Sequence, residues 1–308
     1  MMHETLTFEQ FCQQFEKEED CVQALFAARW PGGFSCPRCT HQHFYEIRSR
    51  KMPLYECRSC HTQTSLIAGT IMAGSRTPLK LWFLAMFLHA QPEGLSATHL
   101  TSIIGTTYKT SWLICHKIRH AMSHADSHEL LSGLVRVNWG NYGNPYNPTV
   151  FRHHQEQPLL VGASLGANGE FTQLKIKQVL DEHLQDNHIS TYAGHVFKGQ
   201  HVDPDALEVI IVNQKFSMNR FRPLIKICLQ ASQWINEIFK GIGPKHLQSY
   251  LDQFCFGYTR TKRSNNLFAV LLQQCSITPV LTYPHLIMRE NNSSQYKNRY
   301  LYQLSKVS

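Results

Sequence analysis

The stretch FSCPRCTHQHFYEIRSRKMPLYECRSCHTQTS, residues 34–65, contains two Cys-x-x-Cys pairs and decides the fold of the first part of the chain. The pairs are Cys36/Cys39 and Cys57/Cys60. Their separation is typical of two turns that converge on one tetrahedral zinc ion. The residues between the pairs have the pattern of a β-hairpin with a basic turn. The sequence therefore predicts a zinc ribbon over residues 34–66, with these four thiolates holding a structural Zn²⁺.

Two alternatives to this zinc site involve the same stretch of sequence. A pair of disulfides would need an oxidising compartment, but the N-terminus MMHETLTFEQFCQQFEKEED is acidic where a signal peptide is basic and then apolar. Replacement of a cysteine ligand by His41, His43 or His61 is unnecessary, because four correctly spaced thiolates are present. We therefore expect zinc, and a cytoplasmic protein.

Composition and charge limit the class of protein. The 308 residues are 43% hydrophobic and 17% charged, which excludes a disordered chain and leaves room for several domains. The longest apolar stretch, LKLWFLAMFLHA, is too short to span a bilayer. The net charge of +8 falls mostly after residue 130 and favours a polyanionic partner. We expect a nucleoid-associated protein with no membrane contact, and the sequence leaves a homo-oligomer open.

Helical patterns flank the ribbon on both sides. Residues 1–33 carry two short amphipathic helices, and residues 75–123 contain three further helical runs, the first of which begins near Thr77. Ser96 and Thr107 are suited to cap the last two helices, and Gly105 supplies the tight turn between them. This pattern predicts a helix-turn-helix over the second half of the segment.

The second helix of that pair has an apolar side and a polar side, and we assign the polar side to the DNA major groove. The basic ribbon tip should reach phosphates. The predicted contacts with double-stranded DNA are Lys109, Thr110, His116 and Lys117 on the helix, and Arg48, Arg50 and Lys51 at the tip. A plain helical hairpin without DNA contact is the alternative interpretation.

The sequence pattern changes from helical to β-rich after residue 130. The runs LVRVN, PLLVGASL, EFTQLKIKQV and EVIIVN predict strands, and two helical stretches follow them. Strands followed by helices suggest a mixed sheet covered by helices. We place this α/β domain at residues 131–260 and a basic C-terminal tail at residues 261–308. The predicted fold class is α+β multidomain.

This order of parts resembles the zinc-ribbon insertion-sequence transposases, the bacterial relatives of Merlin transposons. The likeness is carried by CVQALFAARWPGGFSCPRC, LYECRSCHTQTSLIAGTIM, TPLKLWFLAMFLH and GLSATHLTSIIGTTYKTSWLICHKIRHAM, and it returns in IGPKHLQSYLDQFCFGYTR. It is dense over the first 122 residues and patchy afterwards. The resemblance implies that the ribbon and helix-turn-helix bind transposon ends, and that an RNase-H-like DDE domain follows.

DDE chemistry requires three carboxylates around two divalent metal ions. In the stretches that resemble the first two acidic motifs, LSGLVRVNWG has Asn138 and EVIIVNQ has Asn213 where the family has Asp. The helix before IGPKHL offers only Glu237 as a third acid. An amide oxygen brings no negative charge, so the resemblance implies a degenerate catalytic domain with a weakened Mg²⁺ site.

Three hypotheses follow from these features. The first is a transposase-derived, zinc-dependent DNA-binding protein that has lost catalysis. The second is an active transposase in which Asp203, Asp205 or Glu208 supplies the missing charge to Mg²⁺. The third is a protein-interaction module that the zinc ribbon only stabilises. The two amides favour the first hypothesis.

Overall fold

The chain forms an N-terminal helical unit around the ribbon, followed by a unit built on a mixed sheet. The computed structural model describes residues 6–49, 52–143, 153, 155–186, 188–264 and 266–287. The helices in these ranges are α1 (Phe8–Gln14), α2 (Glu18–Arg29), α3 (Leu79–His89), α4 (Ala97–Ile104), α5 (Tyr108–Ser127), α6 (Thr191–His201), α7 (Arg222–Phe239), α8 (Pro244–Arg263), α9 (Leu267–Ile277) and α10 (Tyr283–Ile287). The strands are β1 (Phe44–Ile47), β2 (Leu54–Cys57), β3 (Gln63–Ser65), β4 (Leu134–Tyr142), β5 (Gln157–Leu165), β6 (Phe171–Gln178), β7 (Leu184–Gln185), β8 (His188–Ile189) and β9 (Glu208–Val212).

The ribbon is a three-stranded antiparallel sheet in the order β1-β2-β3. The predicted hairpin is β1 paired with β2, with Phe44 opposite Cys57. A third strand that the sequence analysis does not include, β3, pairs with the other edge of β2. The ribbon packs on α2, since Phe26 and Trp30 contact the ring of Tyr55. The ribbon and the N-terminal helices therefore share one core.

An aromatic cluster joins the two ends of the chain. Phe11 of α1 packs between Phe87 of α3 and Phe268 of α9, with ring centroids 4.5 and 5.5 Å away. Phe268 belongs to the range for which a basic tail is predicted. That prediction is corrected for residues 267–277, which form a helix buried in the N-terminal core. The apolar run LFAVLL of α9 packs in this core because burial removes its side chains from water.

Helix α3 begins one residue later than the Thr77 pattern predicts, and its cap comes from another helix. Pro78 is the N-cap residue and makes no side-chain capping bond. Instead, the carboxylate of Glu18 on α2 accepts hydrogen bonds from the amides of Leu79 and Lys80, at 2.7 and 3.1 Å. A carboxylate at a helix N-terminus satisfies free amides and complements the helix dipole. This contact fixes α3 against α2. Among the described residues, no helix has the length and apolarity needed to cross a bilayer.

Helices α4 and α5 begin where their predicted N-cap residues place them. The hydroxyls of Ser96 and Thr107 accept the amides of His99 and Thr110. Gly105 lies in the left-handed region at φ 65°, where a side chain would be strained. Helix α5 extends to Ser127, beyond the helical segment predicted to end at residue 123, and its last turns reach the second unit.

The second unit has a four-stranded sheet in the order β6-β5-β4-β9. Strands β4, β5 and β6 are antiparallel neighbours, whereas β4 and β9 are parallel. Helices α7 and α8 pack on one face and α6 on the other. Because both faces are covered, β5 is buried at seven successive positions instead of alternating.

Two ion-pair partners from α5 and α8 attach this sheet to the helical unit. The ammonium of Lys177 on β6 lies 2.7 Å from the carboxylates of both Asp126 and Asp252. Lys175 also donates to Asp126 at 3.0 Å. Two lysines and two aspartates balance in charge, so the buried groups compensate one another. Helix α5 is thus common to the two units.

Candidate functional site

The four cysteines of the ribbon converge on one point. Their sulfur atoms all lie within 4.8 Å of one another. The Sγ–Sγ distances are 3.5 Å for Cys36 and Cys60, 3.5 Å for Cys39 and Cys57, and 3.3 Å for Cys39 and Cys60. Tetrahedral zinc with Zn–S bonds of about 2.3 Å places sulfurs about 3.8 Å apart. Within the described residues this is the one cluster of three or more His, Cys, Asp or Glu side chains that could hold a metal ion. These four thiolates form a structural zinc site.

The two Cys-x-x-Cys turns have the same backbone geometry. The carbonyl of Cys36 accepts the amide of Thr40, and the carbonyl of Cys57 accepts the amide of His61. Thr40 and His61 both have positive φ, 60° and 54°. Non-glycine residues in this region carry strain of about 1–3 kcal/mol that the surrounding structure must offset. The repeated strain indicates that both turns are shaped by a common centre, which the zinc ion supplies.

Thr62 contacts the zinc ligand Cys60. Its hydroxyl is 3.3 Å from the Cys60 sulfur. Hydrogen bonds from the Thr62 side chain and backbone lower the pKa of Cys60 to about 6. A thiolate is the form that binds metal, so this neighbour favours the ligating state.

At the ribbon tip, only one of the three predicted phosphate contacts belongs to the described residues. The Arg48 side chain is 80% exposed and pairs with Glu46 at 2.9 Å. Arg50 and Lys51 lie outside the described residues. Arg48 is therefore available at the surface, and its exposed pair with Glu46 costs little to break.

The first turn of α5 is the exposed part of that helix. Lys109 and Tyr108 are exposed, and Thr110 is partly buried. The hydroxyl of Thr110 is bonded to that of Thr107 at 3.0 Å. Tyr108, with 56% of its surface exposed, is absent from the predicted contacts. Its position directly after the N-cap was the signal that sequence reasoning missed.

The predicted exposure of His116 and Lys117 is wrong. Both residues are buried, at 3% and 6% exposure. Burial lowers the pKa of His116 to about 2, with Arg119 adding to the effect, and burial also lowers the pKa of Lys117. The middle of α5 is surrounded by α3, α4, α8 and α9, so it has no solvent-facing side. These two side chains lie in the core instead of facing a groove.

Helix α10 packs beside the first turn of α5. The Lys109 ammonium lies 5.0 Å from the ring centroid of Tyr283, and the Trp112 and Tyr283 rings meet at 6.2 Å. A cation over an aromatic face at an exposed site is worth about 0.5–1 kcal/mol. Lys109 therefore has one intramolecular partner that another ligand would have to displace.

In the sheet unit, Asn138 lies in the middle of β4 and is 1% exposed. Its Nδ2 donates to the Phe221 carbonyl at 3.0 Å, and its Oδ1 accepts the Phe221 amide at 3.3 Å. Phe221 is the N-cap residue of α7. The amide thus fixes the start of α7 with both of its polar atoms. A carboxylate has no donor for the carbonyl.

Asn213 follows directly after β9, on the neighbouring parallel strand. Asn138 is opposite Val212 in the β4–β9 register, so Asn138 lies beside the last residue of β9 and Asn213 comes one position later. Nδ2 of Asn213 donates to the Ile189 carbonyl at 3.2 Å. The two positions that the resemblance aligned with acidic residues are therefore close along the sheet, but Asn138 is bonded on the side of α7 and Asn213 on the side of β8.

A cleft of about 580 Å³ opens at this end of the strands, lined by Trp139, Asn213 and the start of α6 among others. Its wall includes Glu156, Asp186 and Lys215, three charged residues that sequence reasoning missed. The Lys215 ammonium lies 3.7 Å from the Glu156 carboxylate and 5.4 Å from the Trp139 ring centroid. Glu156 directly precedes β5 and Lys215 follows β9, and no local pattern in the sequence pairs them. A fixed ammonium here repels metal cations.

The other carboxylates considered for catalysis lie elsewhere. Glu208 is opposite Leu134 at the start of β9 and pairs with Arg136 at 2.8 Å. This end of β9 is about 13 Å from Val212, at 3.3 Å per residue. Asp203 and Asp205 precede Glu208 in the same loop. Glu237 is sixteen residues along α7 from Phe221, which corresponds to about 24 Å of helix.

Comparison with known proteins agrees with the geometry of the ribbon. Residues 16–63 match the family model described as a transposase zinc-ribbon domain. Over these residues the chain is similar to the zinc ribbons of transposases. The match covers α2 as well as the ribbon, in keeping with the core that these elements share.

A second similarity supports the transposase relationship. Over 125 residues the chain is 26% identical to an uncharacterized protein in transposable element ISH50 of Halobacterium salinarum. The aligned part covers 40% of this chain and 42% of that protein, so it spans less than half the length of this transposable-element relative. No solved structure matches the chain.

Proposed function

We propose that this transposase-related protein binds double-stranded DNA through its ribbon and α5, and has lost metal-dependent strand cleavage in a degenerate RNase-H-like domain. The observation that carries the loss of catalysis is the bonding of Asn138. Both polar atoms of this buried side chain serve the backbone of Phe221. The residue has become a structural support at a position where the resemblance expects a metal ligand.

The charge balance of the cleft supports the same conclusion. Two Mg²⁺ ions require several carboxylate oxygens in a small volume. At this end of β4 and β9 the described cleft lining instead offers Asn213, Asp186 and the Lys215–Glu156 pair, and Asn138 is buried nearby. Asn138 and Asn213 contribute no negative charge, and Lys215 offsets that of Glu156, so Asp186 is the remaining carboxylate of the described lining. Metal occupancy should therefore be poor, and cleavage should be lost with it.

An active enzyme with a divergent metal site is the second candidate, and Glu156 is the observation that favours it. Its carboxylate lies in the cleft, 3.4 Å from the Asn141 amide and 3.2 Å from the His153 backbone amide. Asp203, Asp205 and Glu208 belong to the opposite end of the strands and give this candidate no support. Catalysis through Glu156 would require Lys215 to leave the site.

DNA binding is supported by the chemistry of the exposed surface. The exposed first turn of α5 begins with Thr107 at the N-cap and presents Tyr108 and Lys109. The N-terminal residues of a recognition helix are the ones that contact base edges in helix-turn-helix proteins. Arg48 adds an exposed cation at the ribbon tip. We assign base contact to the α5 turn and phosphate contact to Arg48.

Binding is tested by titrating the zinc-loaded protein with duplex DNA at several salt concentrations. Arg48→Ala should weaken binding to all duplexes alike and reduce the salt slope by about 0.9, the value of one phosphate contact. Lys109→Ala should weaken binding and alter sequence preference. Lys198→Ala, which removes an exposed lysine from α6, is the matched control. Equal affinities for all three variants, or binding without salt dependence, would favour the protein-interaction hypothesis.

Catalysis is tested on the same duplexes with Mg²⁺ or Mn²⁺. The natural chain should bind DNA and leave it uncut. Metal-dependent cutting that Glu156→Gln abolishes would overturn the proposed loss of activity and favour the active enzyme. The Lys198→Ala variant again serves as the control, because it leaves the cleft unchanged.

A further inference from the structure

Three histidines at the C-terminal end of α5 are spaced by two intervals of four residues: His120, His124 and the C-cap residue His128. Side chains four residues apart lie on the same face of a helix. The ring centroids of His124 and His128 are 4.5 Å apart, whereas those of His120 and His124 are 6.4 Å apart. The second pair is therefore the close one, and it occupies the C-terminal end of α5.

The facing atoms of this pair are both ring nitrogens. Nε2 of His124 lies 3.3 Å from Nε2 of His128. Two imidazoles on one tetrahedral ion, with metal–nitrogen bonds of about 2.0–2.1 Å, have their nitrogens about 3.3 Å apart. The pair thus has the separation of a bidentate chelate without any rearrangement of the backbone.

The C-terminal end of the helix favours a cation at this pair. His124 belongs to the last turn of α5 and His128 is its C-cap residue, where the helix dipole is negative. Metal binding through Nε2 places the ring proton of His124 on Nδ1, which is buried and has no hydrogen-bond partner among the described residues.

We infer that His124 and His128 form a second metal site, which takes a divalent transition-metal ion such as Zn²⁺ and leaves coordination positions open. Imidazole is a ligand that suits Zn²⁺, whereas Mg²⁺ and Ca²⁺ prefer oxygen. No third protein ligand from the described residues completes this site, so water or an external donor fills the other positions. The ion would clamp the last two turns of α5, next to the Asp126 ion pairs that hold the helix on the sheet.

The test is a calorimetric titration of the zinc-loaded protein with further Zn²⁺, in which the ribbon zinc serves as the internal reference. The natural chain should take up a second equivalent, and its thermal midpoint should rise as that site fills. His128→Gln should weaken the second equivalent by at least about tenfold, while the first stays in place. His128 is exposed, so this variant should retain the fold.

Two further variants make the result specific. His124→Gln should have the same effect as His128→Gln, because each removes one arm of the chelate. His195→Gln removes an exposed histidine of α6 that has Thr191 and Gly199 four residues away, and it should bind like the natural chain. Absence of a second equivalent at millimolar Zn²⁺, or equal binding by all three variants, would overturn the assignment.

Discussion

The ribbon has all four of its predicted metal ligands, whereas the region around the strand-end cleft has asparagines at two positions where the resemblance implies acidic ligands. In the ribbon, four cysteines lie at distances that suit one zinc ion, and two strained turns support them. In the cleft, Asn138 and Asn213 are bonded to backbone groups, and Lys215 pairs with Glu156. A structural metal is part of the folding free energy, so its ligands are needed for stability. A catalytic metal contributes to chemistry, and its ligands can be replaced by groups that stabilise the fold without it.

Loss of a zinc ligand should have the largest effect. Cys57→Ser removes a buried thiolate from the ribbon, and structural zinc supplies about 10–16 kcal/mol in zinc-finger peptides. We expect the ribbon to unfold locally and the protein to lose its zinc. Elemental analysis and circular dichroism check this. Cys12→Ser, at an exposed cysteine outside the cluster, should retain the zinc, and a stable zinc-free Cys57→Ser ribbon would contradict the account.

Restoring an acid in the cleft should be the next largest effect, and it should be unfavourable. Asn138→Asp replaces the donor to the Phe221 carbonyl with a second oxygen in a buried site. We expect a loss of about 1–3 kcal/mol in the free energy of unfolding, measured by urea denaturation. Asn213→Asp is the control, because its side chain is only partly buried and should cost less.

The pH dependence of Asn138→Asp follows from the same burial. Burial raises the pKa of a carboxyl group above its unfolded value, so the native state holds the proton more tightly. The deficit in stability should be smallest below the unfolded pKa of Asp and should grow as the pH rises through the folded pKa. If Asn138→Asp matched the natural chain in stability at neutral pH, the structural role assigned to Asn138 would be wrong.

Replacing the neutral residue Gln253, outside the cleft, with a charged one should have the smallest effect on stability. Arg119 is 1% exposed and donates to the Gln253 amide oxygen at 2.7 Å, with Tyr250 4.1 Å from its guanidinium. Gln253→Glu keeps the acceptor and adds the opposite charge, so we expect stabilisation of about 1 kcal/mol in the same assay. Gln253→Leu, which leaves Arg119 without this acceptor, should destabilise. Equal stabilities would show that the arginine charge is already compensated.

Features with a local signal could be predicted from the sequence. The spacing of Cys36, Cys39, Cys57 and Cys60 is enough to define the zinc site. Ser96, Gly105 and Thr107 predict the starts and the turn of α4 and α5, because caps act within one turn of helix. The strand runs after residue 130 fall within one or two residues of β5, β6 and β9.

Features set by distant contacts could not be predicted. The polar residues His116 and Lys117 are buried because four other helices surround the middle of α5. The apolar run at residues 267–272 gave no clue that Phe268 packs against Phe11 from the other end of the chain. The pairing of Glu156 with Lys215 depends on sheet topology, since one residue precedes β5 and the other follows β9.

We expect the ribbon to hold its structural zinc and the cleft at the ends of β4 and β9 to bind no metal. Titration of the zinc-loaded protein with Mn²⁺, followed by electron paramagnetic resonance, tests it directly, because Mn²⁺ takes the oxygen ligands that Mg²⁺ uses. We expect one retained zinc per chain and no Mn²⁺ site in the cleft at millimolar concentration. Binding of two Mn²⁺ ions per chain, lost in Glu156→Gln and retained in Lys198→Ala, would contradict the account.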